Sequence, residues 1–436
     1  MKQLLLLVVT MLLWTSCSNQ DEPVNQAPEA AESQTASRYL SPSEAVKRAS
    51  EAYENMFGKG SRSTLSGRAY LYNASTGSRS FGTDSVLYVV NFDEGGFAVV
   101  PAYRYDDTEA YAIGEHSTFD ASQNPAAAAY VDNLSDYASN LRDSIKIQIP
   151  KPEPQPIIPW FMGEIPEGWS QDPKDPAYWF HTYTTESVSD KSVASKWDEL
   201  MPYNADCPIV YSPTYVKRKA PAGCVAVAIG QICGYYRIPA NSIDGYKLDW
   251  DKMLEEPYIN RLSEEYQNQI TRLLAQIGSR AKLIYGFDET VGNIKDYYPA
   301  IKALGYPNAK IVSNLTNCID YVQNVGPCIV RSDDKNNPDK SNAWVIDGIK
   351  VVSDNKYRAH CESINDEKPY MIVEKTYIQC NWGDGGYADG YFLAREKRYS
   401  DASLTITGQN EWKTTEWTIS SQGFTTSTMQ FIINFK

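Results

Sequence analysis

Apolar positions along this chain recur first at helical spacing, then in alternation, then at helical spacing again. Ser41-Pro42-Ser43-Glu44 sets a cap residue, a proline at the first helical position and a glutamate three residues after the serine, which opens a helix. Ala45, Ala49, Ala52, Tyr53 and Met56 carry its apolar face, and Gly58 stops it. Residues 69–73, 85–91 and 97–102 read as short strands, with Glu94-Gly95-Gly96 as the turn between the last two. Residues 126–145 return to helical character. Helix, antiparallel strands and helix predict a small α+β domain over 39–148.

Prolines then crowd the chain at 150, 152, 154, 156, 159, 166, 173 and 176, where neither a helix nor a central strand can form. Residues 149–186 are therefore expected to be a stiff, exposed linker and the place for proteolytic clipping. From 187 to the end the pattern predicts a second domain. Its helices are expected at 224–236, 263–282 and 292–304. Strands follow at 328–331, 344–351, 371–381, 391–394 and 429–434. Helices first and an antiparallel sheet second give the fold class α+β throughout.

The first residues change the picture of where the protein works. Lys2 followed by the apolar run Leu4 to Trp14 is too short to span a bilayer comfortably and has the form of a secretory signal. Thr15-Ser16-Cys17 resembles a bacterial lipoprotein cleavage site, with Cys17 as the lipidated residue, although Trp14 stands where a leucine-like residue is usual. Plain secretion with nearby cleavage is the other reading. Residues 18–38 have nothing to bury and read as a disordered tether. The expectation is an exported lipoprotein, anchored to a bacterial membrane and facing the periplasm or the cell surface.

Charge and composition narrow the partners. The 436 residues carry a net charge of -13 and no basic block, so nucleic acid is not expected as a partner. Tyrosine, at 31 residues, fits contact-making extracellular surfaces. Eight cysteines include Cys17 and leave seven, an odd number, so at least one thiol stays unpaired or bonds between chains. No cysteine spacing matches a zinc site and there are only three histidines, so neither a metal nor a cofactor is expected.

Candidate chemistry centres on Cys224, which follows Gly223 and opens the apolar, small-residue helix. A thiol there feels the positive end of the helix dipole, which favours the thiolate, the form that attacks a carbonyl. Gly223-Cys224-Val225-Ala226, Gln231-Ile232, Tyr235-Tyr236 and Pro239 resemble the nucleophile helix of streptopain-type cysteine peptidases with a papain-like fold. Lys196-Trp197 with Pro202-Tyr203-Asn204, Tyr285-Gly286, Gly326-Pro327, Ala343 through Gly348, and Asn381-Trp382-Gly383 with Gly385-Gly386 match further family segments in the right order. Gly96-Phe97-Ala98-Val99-Val100 and Phe119-Asp120 are similar to the family's propeptide. The resemblance implies a zymogen in which residues 39–148 fold separately and cover the site of a peptidase domain at 187–436 until removed.

Two departures bear on that reading. Asn342 stands at the position of the family's catalytic histidine, and Glu199 at that of the glutamine that donates to the oxyanion hole. The second tryptophan of the Asn-Trp-Gly-Trp motif is Asp384. Asparagine cannot accept or deliver a proton, and general acid–base help is worth about 10²–10⁴-fold in rate. An ionised Glu199 would accept hydrogen bonds only and would raise the thiol's pKa, whereas a lost oxyanion donor costs about 10²–10³-fold.

The resemblance thus implies Cys224 as nucleophile, Trp382 as cleft wall and Asn381 beside it, with base and oxyanion donor missing. Taken without it, Cys224 is a small core thiol, Asn342 a polar residue at a strand start, Trp382 core packing and Glu199 a solvent-facing side chain. Cys233, Cys318, Cys328 and Cys380 read as small core residues. His116 and His181 precede the second domain. His360 lies in an extension between 351 and 371 that would have to fold back over Cys224 to replace the missing base. Two functions remain: a peptidase zymogen acting on proteins or peptides with impaired turnover, or a pseudopeptidase that binds peptides or an inhibitor.

Overall fold

Helix α1 (Pro42–Phe57) starts as its sequence dictates. The Ser41 hydroxyl accepts the Glu44 N–H at 3.3 Å, and the Glu44 carboxylate accepts the Ser41 N–H at 2.8 Å. Ala45, Ala49, Ala52, Tyr53 and Met56 are buried along one face, and Gly58 ends the helix at φ 102°. The computed structural model describes residues 38–58, 65–72, 85–148, 169–171, 178–190, 192–333, 341–359, 371–401, 412–418 and 429–435. The signal, the tether, Cys17, Cys361 and His360 lie outside the described residues.

Strands β1 (Gly67–Tyr72), β2 (Leu87–Phe92), β3 (Phe97–Pro101) and β4 (Ala112–Gly114) pair antiparallel in that order. The turn between β2 and β3 needs glycine. Gly96 has φ 96°, and a Cβ there would stand 2.9 Å from the carbonyl oxygens of Gly114 and Glu115. Helix α2 (Pro125–Gln148) covers this part of the sheet through Ala127, Tyr130, Val131, Leu134 and Ala138.

Apart from three separate two-stranded ribbons (209–211 with 217–219, 242–243 with 246–247, 284–285 with 290–291), the remaining strands are β5 (Trp169–Gln171), β6 (Tyr178–Asp190), β7 (Lys310–Val312), β8 (Cys328–Asp333), β9 (Ser341–Ala359), β10 (Met371–Asn381), β11 (Gly390–Asp401), β12 (Trp412–Thr418) and β13 (Gln430–Ile433). One sheet holds them all, in the order β1-β2-β3-β4-β11-β10-β9-β8-β13-β7, with β12 beside β11 and β6, flanked by β5, beside β9. Helices α3 (Cys224–Tyr236), α4 (Glu264–Arg280), α5 (Ile294–Ala303) and α6 (Leu315–Asn324) complete the fold.

The apolar run Ala343-Trp344-Val345-Ile346 in β9 is explained by burial on both faces. Ala343 and Val345 join the core beneath α3 and α4, and Trp344 and Ile346 join the core shared with the N-terminal residues. Cys318, Cys328 and Cys380 pack in the latter, Cys233 in the former, as expected of small apolar side chains. The Cys318 and Cys328 sulfurs are 3.2 Å apart, and none of the six described cysteines is in a disulfide.

The sheet and core of the region 39–148 continue into the residues beyond it: β4 pairs with β11 at Tyr391↔Ile113 and Phe392↔Ala112, and Tyr130 packs on Phe392 at 5.3 Å. The 149–186 linker is shorter than expected, because residues from Tyr178 onward form β6 against β9. Its tyrosine, phenylalanine and threonine content suits a strand despite the prolines upstream. Strands β4, β5, β7 and β12 and helix α6 were not anticipated. β4 is only three residues long and is defined by its partners rather than by a local pattern.

Candidate active site

The start of α3 fixes the position of Cys224. Gly223 precedes it at φ 90°, and a Cβ there would lie 3.0 Å from Thr290 Cγ2. Thr290 is itself held by its hydroxyl, which donates to the Pro221 carbonyl at 2.7 Å. Val225 through Gly234 are buried, so the helix is clamped between the sheet and α4. Gly230 makes room for the fully buried Trp197, whose ring a Cβ would meet at 3.1 Å. Cys224 stands half-buried at the head of this helix.

The Cys224 sulfur accepts the N–H groups of Ala343 and Val225. Ala343 follows Asn342 in β9, so the fold brings Asn342 to the same cavity as Cys224. Glu199 arrives from a third direction. Its carbonyl accepts the Ala222 N–H at 2.7 Å, and its carboxylate accepts the N–H of Cys224 itself. Trp197, two residues earlier, is tied to the opposite wall by its carbonyl, which accepts the Gly385 N–H at 3.1 Å.

These groups line one cavity of about 390 Å³ with Trp382, Asp384, Asp198, Asp288 and Glu289. Burial and neighbouring charge raise two of these carboxyls. Burial, then Asp198 and Asp384, push Glu199 up to about 7 against the pull of the Cys224 N–H. Burial and Asp198 push Asp384 up to about 6, while the Asn124 amide lowers it. Burial, and next the Glu199 charge, push the Cys224 thiol up to about 12. Near neutral pH the thiol is therefore held protonated. The dipole of α3 does not overcome the loss of solvent and the adjacent carboxylate.

Of the residues singled out from sequence, Cys224, Glu199, Asn342 and Trp382 meet at the cavity. Trp382 serves both readings: it lines the cavity and, 3% exposed, packs on Trp344 at 5.0 Å and Phe392 at 5.1 Å. Asn381 is placed differently. It is buried under the wall, where its Oδ1 accepts from Gln231 at 2.9 Å and its Nδ2 donates to the Ser195 carbonyl at 3.1 Å. It positions the Trp382 turn and does not line the cavity.

No histidine lines the cavity among the described residues. His116 is exposed beside Glu115, and His181 lies in β6 opposite Lys356. Ala359, the last described residue of β9, is 17 positions beyond Asn342, on the order of 50 Å along an extended strand.

Sequence reasoning missed the cavity's fourth side. Gln123, Asn124, Pro125 and Ala126, at the start of α2, also line it. Asn124 caps that helix by accepting the Ala127 N–H at 2.8 Å and donates from Nδ2 to Asp384 at 3.2 Å. The Asn124-Pro125 pair is a visible helix start, but nothing local says which surface it faces. Asp288 and Glu289 were missed for the same reason. Among the described residues no cluster of histidine, cysteine, aspartate and glutamate could hold a metal ion.

The Peptidase C10 family matches residues 197–392, a span that contains Glu199, Cys224, Asn342, Asn381 and Trp382. A cysteine-to-alanine mutant fragment of Prevotella intermedia prointerpain A is similar at 17% identity and TM-score 0.47, covering 85% of this chain and 98% of its own. The active wild-type interpain A cysteine protease of the same organism is similar at 17% identity and TM-score 0.36, covering 57% of this chain and 95% of its own. No curated protein matches.

Proposed function

We propose, for a chain whose residues 197–392 belong to the Peptidase C10 family, that it binds polypeptide at the Cys224 cleft and that its hydrolysis of peptide bonds through Cys224 is impaired. The observation that carries this reading is the company Cys224 keeps: Asn342 at the base position and Glu199 on its own N–H, in one cavity. Hydrolysis needs the sulfur to lose a proton, attack the carbonyl carbon and have a proton returned to the leaving amine. Asn342 can do neither proton transfer. Glu199, when ionised, places negative charge where the carbonyl oxygen would become an anion.

The N-terminal region acts as the propeptide in this reading, since Gln123 to Ala126 occupy one side of the cleft. Export and lipidation at Cys17 place the molecule on a membrane. Loss of a lipid-bearing N-terminal peptide in a Cys17→Ala variant, read by mass spectrometry, checks that part.

The test of the central reading is casein and fluorogenic-peptide hydrolysis by the chain clipped between 149 and 177 and carrying Arg398→Ala, so that the N-terminal piece can leave the cleft, in four forms. The unaltered protein is expected to show slow hydrolysis that Cys224→Ala abolishes. Asn342→His is expected to gain Cys224-dependent turnover by about 10²-fold or more, and further with Glu199→Gln. Rapid Cys224-dependent hydrolysis by the unaltered protein overturns the impairment. A complete absence of turnover, with peptide still bound, favours the pseudopeptidase, a reading supported by the thiol being pushed up to about 12.

A further inference from the structure

Exposed apolar side chains are concentrated in one short stretch of this chain. Of the nine large ones that stand exposed among the described residues, six lie between 200 and 216: Leu200, Met201, Ile209, Tyr211, Tyr215 and Val216. The last four belong to the ribbon in which Ile209–Tyr211 pairs antiparallel with Lys217–Lys219. Single exposed apolar residues are ordinary, whereas a contiguous group rimmed by charge marks a contact surface. Tyr215 stands at the ribbon's tip, 88% exposed and at φ 64°.

The ribbon is held in shape at both ends. At the turn the Ser212 hydroxyl accepts the N–H groups of Thr214 at 3.2 Å and Val216 at 3.1 Å. At the base Lys219 Nζ donates to the Cys207 carbonyl at 2.8 Å and Asn204 Nδ2 to the Ala220 carbonyl at 3.0 Å. One face carries Val210 and Arg218, and the Arg218 guanidinium lies 4.2 Å over the Phe287 ring. The other face carries Ile209 and Tyr211, 54% and 62% exposed, opposite Lys219 and Lys217. One edge is open as well. The Ser212 N–H bonds to the Val216 carbonyl and the Ala220 N–H to the Pro208 carbonyl, each at 2.9 Å, so 212 with 216 and 208 with 220 are hydrogen-bonded pairs. Alternation along the antiparallel ladder then turns the N–H and C=O groups of Ile209 and Tyr211 away from their partner strand. Among the described residues no third strand joins the ribbon there.

We propose that this ribbon is an exosite for an extended polypeptide, which adds as a third strand beside Ile209–Tyr211 and presents apolar and acidic side chains to the outer face. Main-chain bonds to the open edge hold such a segment, and side chains select it. The selection is for negative charge. Lys217, Arg218 and Lys219 follow one another in a chain of net charge -13, and Arg218 is paired with Asp288 at 3.3 Å, so the two lysines set the sign of the outer face. They lie two strand spacings from an added strand, about 10 Å, which is close to a Debye length at physiological salt. The surface is continuous with the cleft, because Leu200 and Asp288 line the Cys224 cavity. The inference rests on the reading that polypeptide binds at that cavity and adds where the bound chain runs outside it and what chemistry it carries there.

Two synthetic peptides test it on the full chain, one alternating valine with glutamate and one alternating valine with lysine. In hydrogen exchange followed by mass spectrometry, an excess of the glutamate peptide should slow exchange at 209–211 by about tenfold or more, and the lysine peptide should not. By fluorescence anisotropy, Lys217→Glu should weaken the glutamate peptide by about fivefold. Tyr211→Pro removes an outward N–H and leaves the ribbon's own ladder intact, so it should weaken binding by about a further fivefold relative to Tyr211→Ala. Unchanged exchange at 209–211 in the unaltered protein overturns the proposal whether or not the variants fold, and so does equal affinity in Lys217→Glu. Protection at 209–211 that needs only a higher protein concentration, or only phosphatidylserine vesicles, also overturns it, in favour of a second copy or a membrane. Protection at 382–384 of the cleft without protection at 209–211 removes the exosite and keeps the proposed function; the converse removes the cleft reading and keeps the exosite.

Discussion

Single carboxyls set the pH behaviour of this cleft. Glu199, pushed up to about 7, and Asp384, up to about 6, both stand above the ordinary carboxyl range of about 4. Between that range and neutral pH the folded chain holds more protons at these sites than the unfolded chain, so their contribution to stability is fully favourable in acid and declines as pH rises through the window. Glu199→Gln should therefore be more stable than the unaltered protein at about pH 8, by about 1–3 kcal/mol, with the gap closing near pH 4. Urea unfolding at both pH values checks the sign. Asn342→His, by contrast, should change turnover far more than stability, since its position is at the cavity lining and not in either core.

At the scale of the element, two junctions carry the site. The first is the Gly223 turn into α3, where φ is 90° and Thr290 blocks any side chain. Gly223→Ala is expected to lower stability by about 1–3 kcal/mol and to misplace Cys224. Thermal unfolding together with the Cys224 alkylation rate reads both effects. The second is β9, which leaves the cleft at Asn342 and runs on to Ala359. Such a strand carries the chain away from Cys224, so replacing His360 by alanine should leave any Cys224-dependent turnover unchanged. A loss of turnover in that variant would mean that the extension reaches back to the site.

At the scale of the whole molecule, the N-terminal region and the peptidase region share one sheet and one core. Arg398 in β11 binds Asp107 at 3.0 Å and Glu396 at 2.6 Å, and the Tyr137 hydroxyl of α2 donates to Glu396 at 2.8 Å. Tyr377 donates across the same boundary to the Ala110 carbonyl at 2.7 Å. Clipping the chain in the proline-rich stretch should therefore leave two pieces that elute together on gel filtration and unfold in one transition. Arg398→Ala should weaken that association and cost about 3 kcal/mol, because it leaves Glu396, 2% exposed, without its cation. Two separate elution peaks for the clipped unaltered protein would refute the shared core.

Much of this was determined by the sequence alone, because it depends on neighbours in the chain. The capping box of α1, the glycine turn between β2 and β3 and the buried helix opened by Cys224 are local agreements of cap, period and backbone freedom, and they formed where the pattern placed them. Asn342 and Glu199 could be singled out from the sequence too, since ordered motifs point to those places. Tertiary structure alone decided what those residues meet. The Glu199 carboxylate on the Cys224 N–H, the acid walls from Asp288, Glu289 and Asp384, and Asn124 reaching in from α2 join segments separated by up to hundreds of residues. No periodicity encodes such meetings. They follow from which faces pack together, as does the pairing of β4 with β11 that merges two expected domains into one core.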